Sequence, residues 1–180
     1  MVQTYRLKLL AGLFLFILLM PIGIASAHRL GGKFRHTTGQ WLYLGYTRSG
    51  DYWYQAERAA VSWHNTPTRL VVYKTTYANS KVDFYTVTNS GTWWGLAVHH
   101  PCPGGGSNCV YSWADLYMNK RTLANQSTAT RQKVAAHELG HGIGLAHTTS
   151  IFYRSIMKQG YLSYNTPQTH DVTDTNGIYR

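Results

Sequence analysis

The chain has 180 residues and a formal net charge of +10, with seventeen Lys and Arg residues against seven Asp and Glu residues. The basic residues form no consecutive run of the kind that binds nucleic acid, so we expect no nucleic-acid partner. Seven acidic residues also make a multi-carboxylate calcium cage hard to assemble, so structural calcium is not expected.

Residues 1–27 have the pattern of a secretory signal peptide. Arg6 and Lys8 precede an apolar run from Leu9 to Met20, and the small tripeptide Ala25-Ser26-Ala27 follows. The apolar run is shorter than the roughly 20 residues needed to span a bilayer, which argues against a membrane anchor. We therefore predict cleavage after Ala27, a secreted extracellular protein, and no stable membrane attachment afterwards.

Residues 28–180 are long enough for one domain with a single hydrophobic core. They keep fifteen Lys and Arg residues against seven acidic ones, a net charge of about +8. Such a surface can attract an anionic polymer, but solubility explains it equally well. We expect a monomer.

Short segments rich in aromatic and β-branched residues predict strands. These segments are 41–46, 69–73, 82–87, 92–100 and 110–118. Asp51 can cap a helix over 52–65, in which Trp53, Ala56, Ala60 and Trp63 form an apolar stripe. Ser127 and Thr128 open a second helix, and a short final helix runs from about Thr169 to Tyr179.

Cys102 and Cys109 flank a glycine-rich segment. In an exported protein, an even pair of cysteines at short spacing is typical of a disulfide bond. We predict a Cys102–Cys109 bridge that pins this loop.

The second helix carries a candidate metal site. His137 and His141 are four residues apart, so they lie on one helix face with Cβ atoms about 5–6 Å apart. Neutral imidazole suits zinc, which takes three protein ligands and a water at a catalytic site. Glu138 lies about 100° round the helix and can reach that water without binding the metal. Gly144 permits a sharp helix exit, after which His147 can return as the third ligand.

These residues fill every fixed position of H-E-x-x-H-x-x-G-x-x-H, and through this pattern the chain resembles the metzincin metalloproteases. The resemblance implies an α+β fold of the zincin type. Its parts would be a mixed, mostly parallel twisted sheet, an active-site helix, a methionine turn and a C-terminal helix. The order of the elements is similar to the matrixin catalytic domain over nearly all of residues 28–180.

The resemblance also implies roles for residues outside the motif. Met157, ten residues after His147, would form the methionine turn beneath the metal, and Asp174 would brace it. The segment Leu96 to Pro101 looks like the edge strand that holds substrate in matrixins. Tyr161 and Tyr164 would wall the pocket for the side chain after the scissile bond. The expected substrate contacts are Trp94, Gly95, Leu96, Ala97, Val98 and Tyr161.

The chain departs from the family in three places. Matrixins hold a second zinc and calcium in a long loop, but here only Thr88 to Gly91 separates two strands, so we expect a single zinc ion. Position 159 is Gln159, whereas the astacin-like enzymes have a tyrosine at the equivalent place. Matrixin latency uses a propeptide cysteine, and too few residues follow Ala27 to form a prodomain.

The sequence therefore predicts a zinc endopeptidase that acts on protein or peptide. His137, His141 and His147 would bind the ion, and Glu138 would act as the general base. Two alternatives remain open at this point. One is a metalloamidase acting on cell-wall peptide, and the other is a zinc-binding or cell-envelope-binding module without proteolytic activity.

Overall fold

A computed structural model describes residues 29–35, 41–47, 51–102 and 108–180, with the backbone alone for 41–47 and Tyr73. The predicted signal peptide and the glycine-rich segment 103–107 lie outside the described residues. No helix in the described part of the chain has the length and apolar character to cross a bilayer.

Most of the strands come before residue 120, with one long helix among them, and the chain after residue 119 is helical where it has regular structure. In chain order they are β1 (Lys33–Phe34), β2 (Trp41–Thr47), α1 (Trp53–His64), β3 (Leu70–Lys74), β4 (Val82–Val87), β5 (Gly95–His100), β6 (Val110–Tyr111), β7 (Trp113–Asn119), α2 (Lys120–Leu123), α3 (Thr128–Gly142) and α4 (Thr169–Ile178). The five predicted strand segments and the three predicted helices are present. Strands β1 and β6 and helix α2 were not predicted as separate elements.

The main sheet has five strands in the order β3-β2-β4-β7-β5. Its first four strands are parallel to their neighbours, and β5 runs antiparallel to β7 at one edge. This confirms a mostly parallel sheet. A second sheet pairs β1 with β6, in parallel. Because β5 is a terminal strand, one of its two edges has no strand partner among the described residues.

Helices α1 and α3 pack together against the main sheet and enclose the core. Trp63 of α1 is 1% exposed, and its indole Nε1 donates a hydrogen bond to the Ala136 carbonyl oxygen at 2.9 Å. From the sheet, Phe84 and Leu116 are buried in the same cluster. Helix α3 is buried around most of its circumference, including polar residues at positions 132, 133, 137 and 138. Burying polar groups costs free energy unless they find partners; Gln132 accepts a hydrogen bond from Arg58 Nε at 2.9 Å, and the other three residues line a cleft.

The caps of the helices were predicted with mixed success. Ser127 caps α3 as expected, since its side chain accepts a hydrogen bond from the Thr130 backbone N–H. Asp51 does not cap α1; its carboxylate instead pairs with Lys120 at 2.9 Å. The apolar stripe of α1 is also shifted, because Trp53 is 48% exposed.

Asn119, at the end of β7, organises the loop that leads into β5. It is fully buried, and its side-chain oxygen accepts hydrogen bonds from the backbone N–H groups of Asn89 and Arg121. Its amide nitrogen lies 3.2 Å from the carbonyl oxygens of Asn89, Gly91 and Trp93. Together with the Arg121 guanidinium, which donates to the carbonyl oxygens of Asn89, Ser90 and Gly91, this side chain satisfies much of the backbone of the loop between β4 and β5.

Replacement of this side chain tests the arrangement. Asn119→Ala is expected to lower the free energy of unfolding by about 1–3 kcal/mol, because buried backbone groups lose their partner. Chemical denaturation measures this loss. The exposed Asn79→Ala change should stay within about 0.5 kcal/mol, and an equally small effect at position 119 would contradict the proposed role of that side chain.

Candidate metal centre and substrate cleft

Three imidazoles converge at the end of α3. The ligand atoms of His137, His141 and His147 all lie within 4.8 Å of one another. The Nε2 atom of His147 is 3.1 Å from that of His137 and 3.0 Å from that of His141. Three nitrogens about 2.0–2.1 Å from one tetrahedral zinc ion lie roughly 3.3 Å apart. The cluster therefore has the donor type and spacing that zinc requires.

Backbone carbonyl groups orient two of these rings. The His137 Nδ1 atom lies 2.7 Å from the Ile156 carbonyl oxygen, and the His141 Nδ1 atom lies 2.8 Å from that of Leu145. A carbonyl oxygen only accepts, so Nδ1 carries the proton in both rings and donates it. The Nε2 lone pairs are then directed to the common point, as metal-binding histidines require.

The helix exit delivers the third histidine. Gly144 has a φ of +100°, the left-handed conformation that glycine adopts without strain. The N–H of Gly144 donates to the His141 carbonyl and that of Leu145 donates to the Gly140 carbonyl, at 2.8 and 2.9 Å. These two bonds form a Schellman motif, which ends the helix and turns the chain. His147 consequently approaches from outside the helix, as predicted.

The three histidines are held in the neutral form that binds metals. Burial lowers the pKa of His137 well below 6.5 and lowers that of His141 to about 4. The pKa of the more exposed His147 is also lowered, by its partial burial and then by the charge of Lys133. Metal ions therefore meet little competition from protons at these nitrogens near neutral pH.

Glu138 lies beside the cluster without joining it. The metal-ligand group among the described residues comprises the three histidines and not this carboxylate. Its side chain is buried, which raises its pKa to about 8, while the charge of Lys133 opposes that shift. A Cβ atom at Gly95 would lie 2.6 Å from the Glu138 carboxyl carbon. Glycine at this point of β5 thus leaves room for the carboxylate.

The cluster opens into a cleft of about 510 Å³. One wall is the face of α3, and the facing wall includes Trp94, Gly95, Leu96, Ala97 and Tyr161, all of which were predicted substrate contacts. The Trp94 and Tyr161 rings meet edge to face, with centroids 5.1 Å apart.

Not every cavity or predicted contact belongs to this cleft. Val98, a predicted substrate contact, is not among the residues that line it. A larger cavity of about 760 Å³ lies between α1 and the segment before α4, and none of the three histidines lines it.

A comparison with known families shows to which family the chain belongs. A model of the matrixin family matches residues 48–180. The chain belongs to the matrixin family. No curated protein is significantly similar to it. Membership supports a zinc metalloprotease with peptide substrates, and His137, His141 and His147 are the residues that could hold the zinc ion.

The support beneath the cluster in this matrixin differs from the prediction. Asp171, rather than Asp174, binds the segment around Met157. The Asp171 carboxylate accepts hydrogen bonds from the Ile156 backbone N–H at 2.8 Å and from the Ser155 hydroxyl. The carboxylate of Asp174 lies instead 3.4 Å from the His170 Nε2 atom. Asp171 holds the backbone of Ile156, and the carbonyl of Ile156 orients His137. Asp171 therefore supports the metal site indirectly.

Met157 itself is 2% exposed and packs beneath α3 at Gly140. Tyr164, a candidate for the pocket wall, has a structural contact instead. Its hydroxyl lies 3.1 Å from both the backbone N–H and the carbonyl oxygen of Ser155. The tyrosine that does reach the cleft is Tyr161.

Two further residues near the cluster have no motif spacing that marks them. His99 is 1% exposed, its Nε2 lies 2.9 Å from the His141 carbonyl oxygen, and its ring stacks on Tyr111 at 4.1 Å. Burial lowers the pKa of His99, so the ring is a neutral hydrogen-bond donor. Lys133 lines the cleft together with the zinc-site residues. Its position four residues before His137 on the helix is the only sequence signal for this placement.

Removal of the third histidine tests the metal site. His147→Ala is expected to weaken zinc binding by more than about 100-fold, since the site loses one of its three protein ligands. The ring is exposed, so the fold should remain intact. Elemental analysis after dialysis against a weak chelator measures the change. His100→Ala, on the far end of β5, should keep its zinc, and zinc retention by both variants would exclude His147 as a ligand.

The two aspartates of α4 provide a matched pair. Asp171→Ala is expected to weaken zinc binding by about 10–100-fold, because the segment that orients His137 loses its support. Asp174→Ala should leave zinc affinity close to that of the parent. Competition with a chromophoric chelator gives both values, and equal losses would show that Asp171 acts only through general stability.

Proposed function

We propose that this matrixin is a secreted zinc endopeptidase in which Glu138 is the general base. The observation that supports the proposal best is the joint placement of three converging imidazoles and one buried carboxylate in a cleft beside a terminal strand. In the proposal, His137, His141 and His147 hold a single zinc ion, and no structural calcium is needed. Met157 forms the methionine turn.

The chain's own groups would carry the proton transfers. Zinc, when bound, supplies Lewis-acid activation of water and of the substrate carbonyl. The Glu138 carboxylate accepts the proton that the water loses as its oxygen attacks the peptide carbon. The C–N bond then breaks, and Glu138 delivers the same proton to the departing amine nitrogen. Burial raises the pKa of the Glu138 carboxyl group, which favours its hold on a proton until the departing amine takes it.

The position of β5 supports an extended peptide substrate. A terminal strand offers backbone N–H and C=O groups to an incoming strand, and such pairing is tolerant of sequence. Gly95 has no side chain and Ala97 has only a methyl group, so both positions leave the strand open to close approach. A peptide added at this edge would pass the histidine cluster, because β5 and α3 form opposite walls of one cleft.

Secretion rests on the N-terminal sequence pattern and on the cysteines. Cys102 and Cys109 form a disulfide bond, as predicted. Such bonds persist in oxidising compartments, which fits export through a signal peptide at residues 1–27. The working form in this proposal is an extracellular monomer.

The Glu138→Gln variant tests the reaction. It is expected to keep its zinc but to lose about 10²–10⁴-fold in kcat/KM, because only proton transfer is removed. Hydrolysis of casein, with and without a chelator, measures the activity of parent and variant. Glu57→Gln, which alters a partly exposed carboxylate outside the cleft, should retain the parental rate.

The outcomes separate the candidate reactions. A Glu138→Gln variant that cleaves casein as fast as the parent would exclude the assigned base. A parent that leaves casein intact but releases peptide from peptidoglycan would replace the endopeptidase with a cell-wall amidase. A zinc-loaded parent inactive on both would favour a binding module.

A further inference from the structure

The loop between His147 and Met157 exposes large apolar side chains. Ile151 is 84% exposed and Phe152 is 85% exposed, the highest values among the large apolar side chains in the described part of the chain. We name these two residues the apolar tip. Tyr153, the next residue, is 50% exposed. None of the three lines the substrate cleft or the larger cavity. A contiguous exposed apolar patch of this kind commonly marks an interaction surface.

Contacts at the base and on one flank hold the loop in place. The Thr148 backbone N–H donates to the Met157 carbonyl oxygen at 3.3 Å, which closes the base. The Tyr153 ring stacks on the buried His170 ring of α4, with centroids 4.7 Å apart and an angle of 7° between the planes. The loop is therefore anchored on both sides of the apolar tip, which itself remains in contact with solvent.

The residues that follow the apolar tip become more polar one by one. Tyr153 combines an aromatic ring with a hydroxyl group, and Arg154 adds an exposed positive charge. The Arg154 guanidinium carbon lies 4.6 Å from the centre of the Tyr164 ring, so a cation–π contact holds this charge in place. A lipid bilayer has the same order from inside to outside: hydrocarbon, an interface where tyrosine and tryptophan side chains concentrate, and charged head groups. The polarity of the loop therefore matches that of a bilayer surface.

The charge of the protein surface favours an anionic bilayer. No acidic residue occurs between Glu138 and Asp171, a segment that contains Arg154 and Lys158. Four of the seven acidic side chains of the chain are buried, namely Asp83, Glu138, Asp171 and Asp174. The other three lie in the pairs Asp51–Lys120, Glu57–Lys74 and Asp115–His100. The exposed surface thus has an excess of positive charge, and each Lys or Arg near an anionic leaflet strengthens attraction about fivefold.

A protein partner suits the apolar tip less well. A stable protein interface buries about 800 Å² on each partner. An aromatic side chain buries about 150–250 Å², so two large side chains supply only about half of that area. A bilayer needs no matching shape, and a short apolar insertion combined with charge attraction gives reversible binding. A soluble anionic polymer has no apolar phase, so it would leave the tip in water.

We propose that the apolar tip inserts into the surface of an anionic lipid bilayer and binds this matrixin there reversibly. Ile151 and Phe152 would enter the boundary between head groups and acyl chains, and Arg154 would contact lipid phosphate. Ile151 follows His147 by four residues, so their Cα atoms are at most about 14 Å apart. Docking would therefore hold the histidine cluster close to the lipid surface. The proposal goes beyond the endopeptidase function and does not depend on it, because lipid binding requires no reaction.

Vesicle binding tests the proposal. The protein is purified as secreted from an expression host, and N-terminal sequencing confirms that the apolar run 9–20 is absent, since that run would itself bind lipid. Co-sedimentation compares vesicles of phosphatidylcholine with vesicles in which about a third of the lipid is phosphatidylglycerol. The partition coefficient is expected to be about tenfold higher or more on the anionic vesicles and to fall as salt is raised. No binding to the anionic vesicles overturns the proposal and leaves the tip to a protein or polymer partner.

Two double variants assign the binding to the apolar tip. Ile151→Ser with Phe152→Ser is expected to lower the partition coefficient on anionic vesicles by about tenfold or more, because the apolar contribution is lost. Trp53→Ser with Val61→Ser removes two exposed apolar side chains of α1 and should bind as the parent does. The tip variant should keep the parental midpoint of thermal unfolding and zinc content, since both side chains are exposed. Parental binding by the tip variant, or equal losses in both double variants, would overturn the role of the tip.

A pair of charge variants tests the contact with lipid phosphate. Arg154→Gln is expected to weaken binding to anionic vesicles by about fivefold. Lys74→Gln removes the same charge on β3, at the edge of the main sheet opposite β5, and should weaken binding by about twofold at most. Equal losses would overturn the assignment of the phosphate contact to Arg154.

A fluorescent label reports insertion directly. Phe152→Cys and Val61→Cys are each labelled with nitrobenzoxadiazole and mixed with anionic vesicles. The two native cysteines form a disulfide bond, so the introduced thiol is the one that reacts. The emission of the label at position 152 is expected to shift to the blue, because the dye leaves water, whereas the label at position 61 should keep its emission. Vesicle binding without a shift at position 152 would show that charge alone holds the protein on the lipid, and that result overturns the insertion.

Discussion

The structure depends on two backbone carbonyl groups that hold the histidine rings in one orientation. The carbonyls of Ile156 and Leu145 each accept a hydrogen bond from an Nδ1 atom, so that the opposite nitrogens point to one place. The two carbonyls belong to different parts of the chain, the helix exit and the segment before α4. The metal site therefore forms only when the Schellman turn at Gly144 and the packing of Asp171 against Ser155 are both in place.

The site residues whose positions could be predicted from the sequence are those that lie a few residues apart on one helix or at its end. His137 and His141 lie on one face because helical periodicity requires it. Gly144 predicted the sharp helix end after which the chain turns back and brings His147 to the same site. The strand segments followed from their β-branched and aromatic content. The break between β6 and β7 at Ser112 was not visible, because there the chain bonds to the His100 carbonyl of a strand distant in sequence.

The errors occurred where tertiary packing chooses between equivalent residues. Asp171 and Asp174 are three apart on α4, and the place where the helix begins decides which one faces Ser155. Asp171 also closes a capping box with Gln168, a local signal that could have identified it. The burial of Lys133 could not be predicted from the sequence, because its spacing from His137 indicates only the face of α3 on which it lies. Its side chain borders the cleft opposite residues 159–161, which no local pattern connects to it.

The bond between Cys102 and Cys109 fastens the far end of the substrate strand. Cys102 lies two residues after β5, and Cys109 directly precedes β6, whose partner is β1. A strand at the border of a sheet frays first at its termini, because hydrogen bonds there have fewer neighbours. The covalent link opposes this fraying at the strand that would align a peptide. In a thiol-reducing compartment such as the cytosol, the same strand end would be secured by non-covalent contacts alone, so the alignment of substrate becomes coupled to the redox state of the surroundings.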